Sequence, residues 1–250
     1  VSNATIENTL EILKKNDVTI DRTIIPVKMA GMPILSMQKN AQNKVFENFM
    51  GISWHKTQEG NVTKYVSDDK VLTVRENDFN YIDTNPTAPY QTLDENIALS
   101  IATNLIDKNA LANLFGGEKR VLALPNGSYV VIVHQLHAGK NIFGQDLTIT
   151  LTPQGITEIK GGLLTASHLS SEKYPVRHVT GVLIDFIHSA DRPKQPTAIR
   201  TITLGYYVGA NYTTEDVKVA AAVPAWEIVT LYGVYFYDAT NGAYLTKVPK

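Results

Sequence analysis

The residues that come nearest to a metal site by type are His134 and His137, in the stretch His134-Gln135-Leu136-His137. They lie at the end of an expected strand over Ser128 to Leu136, and side chains alternate between the two faces of a strand. Residues three apart then point to opposite faces, so these imidazoles share no ion unless the strand bulges. His178, Asp185 and His188 offer a different geometry, since Asp185 and His188, three apart in a helix, lie on one face where an ion could bridge them. Zinc takes four ligands, and the sequence marks no further one for this pair. Ser170-Ser171-Glu172-Lys173 has the Ser-x-x-Lys spacing in which a lysine helps activate a serine. The companion Ser-Asp-Asn and Lys-Thr-Gly motifs are missing, and the serine sits in a polar stretch, not at the start of a buried helix. No Gly-x-Ser-x-Gly elbow, Walker loop or dinucleotide fingerprint is present. The chain has no cysteine, which removes disulfides, thiolate nucleophiles and Cys-ligated zinc. The expectation is therefore no catalytic residue, no cofactor and no metal.

Composition narrows the partners. Twenty-three basic side chains against twenty-four acidic ones leave a formal charge of −1, so no bulk field draws the chain to nucleic acid or acidic lipid. At 250 residues and 44% hydrophobic content it can bury a substantial core. No apolar run reaches the roughly 20 residues needed to cross a bilayer.

The elements that would position these residues follow from hydrophobic periodicity. Ile6, Leu10 and Leu13 recur at helical spacing between Thr5 and Lys15, with Asn3 able to cap the start. From Ile24 to Met37, Pro26, Gly31 and Pro33 disfavour helix and predict an extended tether. Helices are then expected at Ala41 to Met50, at Thr92 to Lys108 with Ile97, Ile101 and Leu105 four apart and Ala98 and Leu99 beside them, and at Val176 to Ser189. Each is followed by a series of short strands separated by turn-sized gaps, which favours antiparallel pairing. The expected class is α+β, built of repeated helix-plus-antiparallel-sheet units. The expected organisation is an opening helix and tether at 1–38, a first lobe of two units at 39–168, and a second lobe of one unit at 169–250. The polar stretch from Ser170 to Lys173 marks the break between the lobes.

Two groups of residues stand out once catalysis is set aside. The apolar face of Ile6, Leu10 and Leu13, with Ile24, Ile25, Met29 and Met32 of the tether, exceeds what a solvated linker needs and marks a surface that covers a lobe or a partner. The second group closes the chain. Pro224 and Trp226 precede the aromatic run that ends at Tyr237, and Asn241-Gly242 supplies the residue types that accept the positive φ angles of a tight hairpin turn.

This closing stretch resembles that of the YycH/YycI regulators, in which a Pro-Ala-Trp strand precedes an aromatic strand and a Thr-x-Gly turn; here the residues are Pro224-Ala225-Trp226, Tyr235 to Ala239 and Thr240-Asn241-Gly242. Thr5 to Thr9 with Ile24-Ile25-Pro26, Gln135 to Gly139 with Ile142-Phe143 and Leu147 to Gly155, and Ile202 to Tyr207 resemble further segments of the family in the same order, closer to its YycI branch. The resemblance implies PepSY-like helix-plus-sheet units and a non-enzymatic accessory protein of Gram-positive bacteria. It implies display on the extracytoplasmic face of the membrane through an N-terminal helix that this chain does not contain. The implied partners are a YycH-like protein and a WalK-type sensor histidine kinase that governs cell-wall metabolism. Two alternatives come from other classes: a PepSY-like binding module for a protease or cell-wall ligand, and a hydrolase whose residues converge only in the fold.

Overall fold

A computed structural model describes residues 1–39, 48–51, 53–109, 111–209 and 219–248. Among these, fifteen strands outweigh three α-helices, and the chain divides into two compact units. The first unit holds Val1–Ser36, Ser167–Thr214 and Ala221–Lys250, and the second holds Met37–Ala166 and Glu215–Ala220.

The first unit contains α1 (Asn3–Lys15), β1 (Val18–Ile20), most of β2 (Met32–Lys39) and β11 (Leu164–Tyr174), α3 (Val179–His188), β12 (Thr197–Tyr207), β13 (Val219–Thr230), β14 (Val234–Asp238) and β15 (Tyr244–Val248). Ser2, not Asn3, caps α1: its hydroxyl accepts a hydrogen bond from the Thr5 N–H at 3.1 Å. The helices bury one face each, α1 through Ile6 and Leu13 and α3 through Val179, Val182, Leu183 and Phe186. These close over Trp226, Ile228, Tyr235 and Tyr237 on the sheet to form one core. The strand order β11-β2-β13-β12 interleaves three distant parts of the chain, and β1 pairs with β12 in parallel.

The second unit begins with a meander of β3 (His55–Glu59), β4 (Val62–Val66), β5 (Lys70–Val74) and β6 (Asp78–Asp83). After α2 (Glu95–Lys108) come β7 (Lys119–Ala123), β8 (Tyr129–His137), β9 (Lys140–Thr152) and β10 (Gly155–Gly162). The order β3-β4-β5-β6-β10-β9-β8-β7 is antiparallel throughout. Asp94 caps α2 through its side chain and the Ile97 N–H, at 2.8 Å. The deepest line of α2 is Ala98, Ala102 and Ile106, which includes the expected Ala98 and lies one position round from Ile97, Ile101 and Leu105. Alanine lets the helix axis approach the sheet, and Ile101 and Leu105 pack along the flank.

These findings overturn the expected α+β class of repeated helix-plus-antiparallel-sheet units. The protein is mainly strand, with mixed pairing and three short helices among the described residues. Turn-sized gaps constrain only strands that follow one another, and they say nothing about pairing between distant strands such as β2, β11 and β13. The stretch from Ser170 to Lys173, expected as a polar break, lies within β11. That strand ends the sheet order, and an edge strand with one neighbour can carry a polar sequence. The helix expected at Ala41 to Met50 falls mostly outside the described residues, and Asn48–Met50 form a single 3-10 turn. Pro224 lies inside a single strand, β13. The Pro224 carbonyl accepts from the Ala239 N–H, so its missing N–H faces the same side, where β14 has already ended.

Candidate functional site

The closing motif builds a junction around one arginine. Trp226 is buried in β13, and its indole N–H donates to the Arg177 carbonyl at 3.0 Å. The Arg177 N–H donates to the Ala239 carbonyl at 2.7 Å, immediately after β14. The strand and the closing loop thus both hold the backbone of the residue that precedes the N-cap of α3. From there the Arg177 side chain runs along α3. Its Nη1 donates to Asp185 Oδ2 at 2.6 Å and to the Asn241 carbonyl at 3.1 Å. Two glycines leave room for it: a Cβ at Gly181 would lie 2.8 Å from Arg177 Nε, and one at Gly242 would overlap Nη1.

The expected tight turn at Asn241-Gly242 is a longer loop, Ala239 to Ala243, in which Gly242 takes the positive φ of 84° and Asn241 does not. The Asp238 carboxylate folds this loop, accepting from the Thr240 N–H at 2.7 Å and the Thr240 hydroxyl at 2.6 Å. Tyr237, buried beneath, meets Tyr244 edge to face at 5.6 Å. Burial pushes the Tyr237 phenol upward, and burial with the nearby Asp191 pushes Tyr244 up to about 12. Both phenols therefore stay protonated near neutral pH.

A second contact joins the tether to the same helix. His178 caps α3 by accepting from the Thr180 N–H at Nδ1, which leaves the proton on Nε2 to donate to the Pro26 carbonyl at 2.6 Å. Of the residues expected to form an apolar surface, Ile6, Leu13, Ile25 and Met32 are buried, and Leu10 and Met29 pack partly against the same core. Ile24 is half-buried at the end of the 3-10 turn Arg22–Ile24. They cover their own unit. The outward face of α1 carries Glu7, Glu11, Ile12, Lys14 and Lys15 instead, with Ile12 42% exposed.

The residues considered for chemistry are dispersed. His134 is buried, with Nδ1 2.5 Å from Asp146 Oδ1 and its ring edge-on to Phe143. A bulge does occur between Val133 and Gln135, yet His137 lies at the hairpin end, and the described residues contain no group of three or more potential ligands. Asp185 is the partner of Arg177, and His188 is exposed at the end of α3. Ser170 accepts from the Ile34 N–H at 3.0 Å and donates to the Glu172 carbonyl at 2.8 Å, so its hydroxyl is part of the β2 and β11 pairing. Sequence reasoning missed Arg177, and it weighed His178 with Asp185 and His188 for a metal and not as a helix cap. The available signal was Gly181, since glycine inside a helix is costly unless something occupies the vacated space.

No family model and no curated protein sequence matches this chain. Its fold is similar to the crystal structure of an uncharacterized protein from Eubacterium rectale, with 11% identity and a TM-score of 0.58 over 96% of this chain and 98% of that one. It is also similar to YycH from Bacillus subtilis, with 10% identity and a TM-score of 0.49 over 100% of this chain. This chain spans 62% of that YycH chain. The Eubacterium rectale structure shows that a second chain of the same extent takes this fold.

Two predictions come from the junction. Gly242→Val should destabilise the protein by about 2 kcal/mol or more in chemical denaturation, because it combines backbone strain with displacement of Arg177; an unchanged midpoint would contradict the packing described. The second concerns pH. Burial lowers the His178 pKa below its ordinary 6.5 against the opposing pull of the Pro26 carbonyl. Between the folded value and 6.5 the unfolded chain binds more protons, so this contribution is present above about 6.5 and is lost as pH falls below it. The difference in melting temperature between wild type and His178→Asn should therefore shrink on going from about pH 7.5 to about pH 5. A constant difference would remove His178 from the pH response.

Proposed function

We propose that this chain is the extracytoplasmic part of a non-enzymatic accessory regulator of the YycI type, held at the membrane by a helix that precedes it. In this reading it acts with a YycH-like partner on a WalK-type sensor histidine kinase that controls cell-wall metabolism. The observation that carries the reading is where the chemically capable side chains are spent. His134 bonds Asp146, Asp185 bonds Arg177 and Ser170 bonds strand backbone. The closing motif that resembles the YycH/YycI regulators is the junction that organises the first unit. Side chains committed to holding a shape support recognition over turnover.

A regulator of this kind works through its surface. The outward face of α1 is the part nearest the proposed membrane helix, and its burial on the other side fixes that face rigidly. The test is co-purification of the membrane-anchored gene product with the kinase and the YycH-like protein of the same genome, read together with kinase autophosphorylation. Ile12→Glu combined with charge reversal at Glu11 and Lys15 should keep the melting temperature and lose both co-purification and the effect on the kinase. Retention of both, with normal folding, would place the interface on another surface. Failure of the unmodified protein to bind either partner would overturn the reading.

A further inference from the structure

The second unit contains a cleft whose chemistry neither the closing motif nor the regulator reading uses. In the β5/β6 ladder Leu72 faces Tyr81 and Lys70 faces Asp83, while Ile159 of β10 faces Tyr81 from the other side. Directly opposed residues share a face of the sheet, so this row presents an apolar floor that ends in an acid and a base. The loop after β6 closes the end of the row. It is held by the Tyr90 N–H donating to the Pro153 carbonyl at 2.9 Å, and Pro86 occupies the space a side chain at Gly155 would need. The result is a cleft of about 250 Å³ walled by Leu105, Ile156, Ile159 and Pro86, with Tyr81, Asp83 and Lys70 at its polar end.

Asp83 is the unusual member. It is 8% exposed, and its oxygens accept from the Asn85 N–H at 3.0 Å and the Tyr81 hydroxyl at 3.3 Å. Its carboxylate makes no ion pair among the described residues; Lys70, its cross-strand neighbour, lies on the rim beyond salt-bridge distance. A carboxylate has about four acceptor positions, so two hydrogen bonds leave capacity for a further donor. Burial, then the charge of Asp83, push the Tyr81 phenol upward, so Tyr81 keeps its proton and donates. A nearly buried carboxylate with acceptor positions still open is stabilised by a cationic donor that fills them.

We infer that this cleft binds a compact organic ammonium group carried on an apolar body, with the ammonium on Asp83 and the body against Leu105, Ile156 and Ile159. The volume sets the size, since 250 Å³ is smaller than the usual pocket for a drug-sized ligand and suits one branched aliphatic or aromatic group. Lys70 on the rim adds a place for a carboxylate or carbonyl next to the ammonium. The ligand chemistry is therefore that of a free hydrophobic amino acid or of the amino terminus of a peptide that begins with one. It stands apart from the regulator reading, and loss of kinase binding leaves it untouched.

The experiment is isothermal titration of the purified chain with four probes: 3-methylbutylamine, L-leucine, the tripeptide Leu-Gly-Gly and 4-methylpentanoic acid. The amine and L-leucine should bind saturably and the acid, which lacks the ammonium, should not. Binding of the tripeptide as well identifies a peptide terminus as the source, and its exclusion identifies the free amino acid. Asp83→Asn should weaken binding by about tenfold or more. If that variant fails to fold, Ile156→Trp supplies the independent check: it should fill the cleft and abolish binding with the melting temperature retained. Absence of binding by both ammonium probes at millimolar concentration, equal binding of the acid, or unchanged affinity in a folded Asp83→Asn or Ile156→Trp variant would each overturn the proposal.

Discussion

Two missing side chains, at Gly181 and Gly242, make room for the interaction that organises the first unit. Through the space they leave, the Arg177 guanidinium reaches both Asp185 on α3 and the carbonyl of Asn241 in the closing loop. Its backbone is gripped at the same time by Trp226 and Ala239. One residue therefore ties helix, central strand and hairpin loop together. The ion pair is itself half-exposed and contributes little through charge alone. Its importance is geometric. With the backbone fixed on one side and the guanidinium on the other, α3 has one position over the sheet, and its apolar face meets Trp226, Tyr235 and Tyr237.

The rest of the first unit is arranged around that placement. His178, one residue further on, caps α3 and hooks the tether at the Pro26 carbonyl. The tether then lays Ile25 and Met29 against the core that α1 also covers. Ile6 and Leu13 of α1 and Ile25 and Met32 of the tether are spent internally, while Ile12 on the outward, charged face of α1 and Val27 of the tether are exposed.

Much of this was legible in local sequence, and what was not has a physical reason. The spacing of Ile6, Leu10 and Leu13 identified α1 and its buried side, because an amphipathic stripe is a local property. The α2 stripe was read on Ile97, Ile101 and Leu105 with Ala98 beside them, and its centre lies one position on, because Ala98 and Ala102 are the residues that let the helix approach. Polarity at Ser170 to Lys173 suggested a loop because strand character was equated with burial, and β11 is an edge. The role of Gly242 was only half visible. Its positive φ follows from its neighbours in sequence, but its second reason, the guanidinium of a residue 65 positions earlier, depends on tertiary placement. The same holds for Asp83, whose significance depends on a cleft formed by strands and a loop distant in sequence.

The central claim is that Gly242 is required by Arg177, and a double-mutant cycle tests it most directly. Unfolding free energies would be measured by urea denaturation for wild type, Gly242→Ala, Arg177→Ala and the double variant. The backbone strain of alanine at a φ of 84° is present in both backgrounds, whereas the overlap with the guanidinium exists only when Arg177 is there. The account predicts that Gly242→Ala costs at least about 1 kcal/mol less in the Arg177→Ala background than in wild type. Additive costs, within about 0.5 kcal/mol, would contradict it.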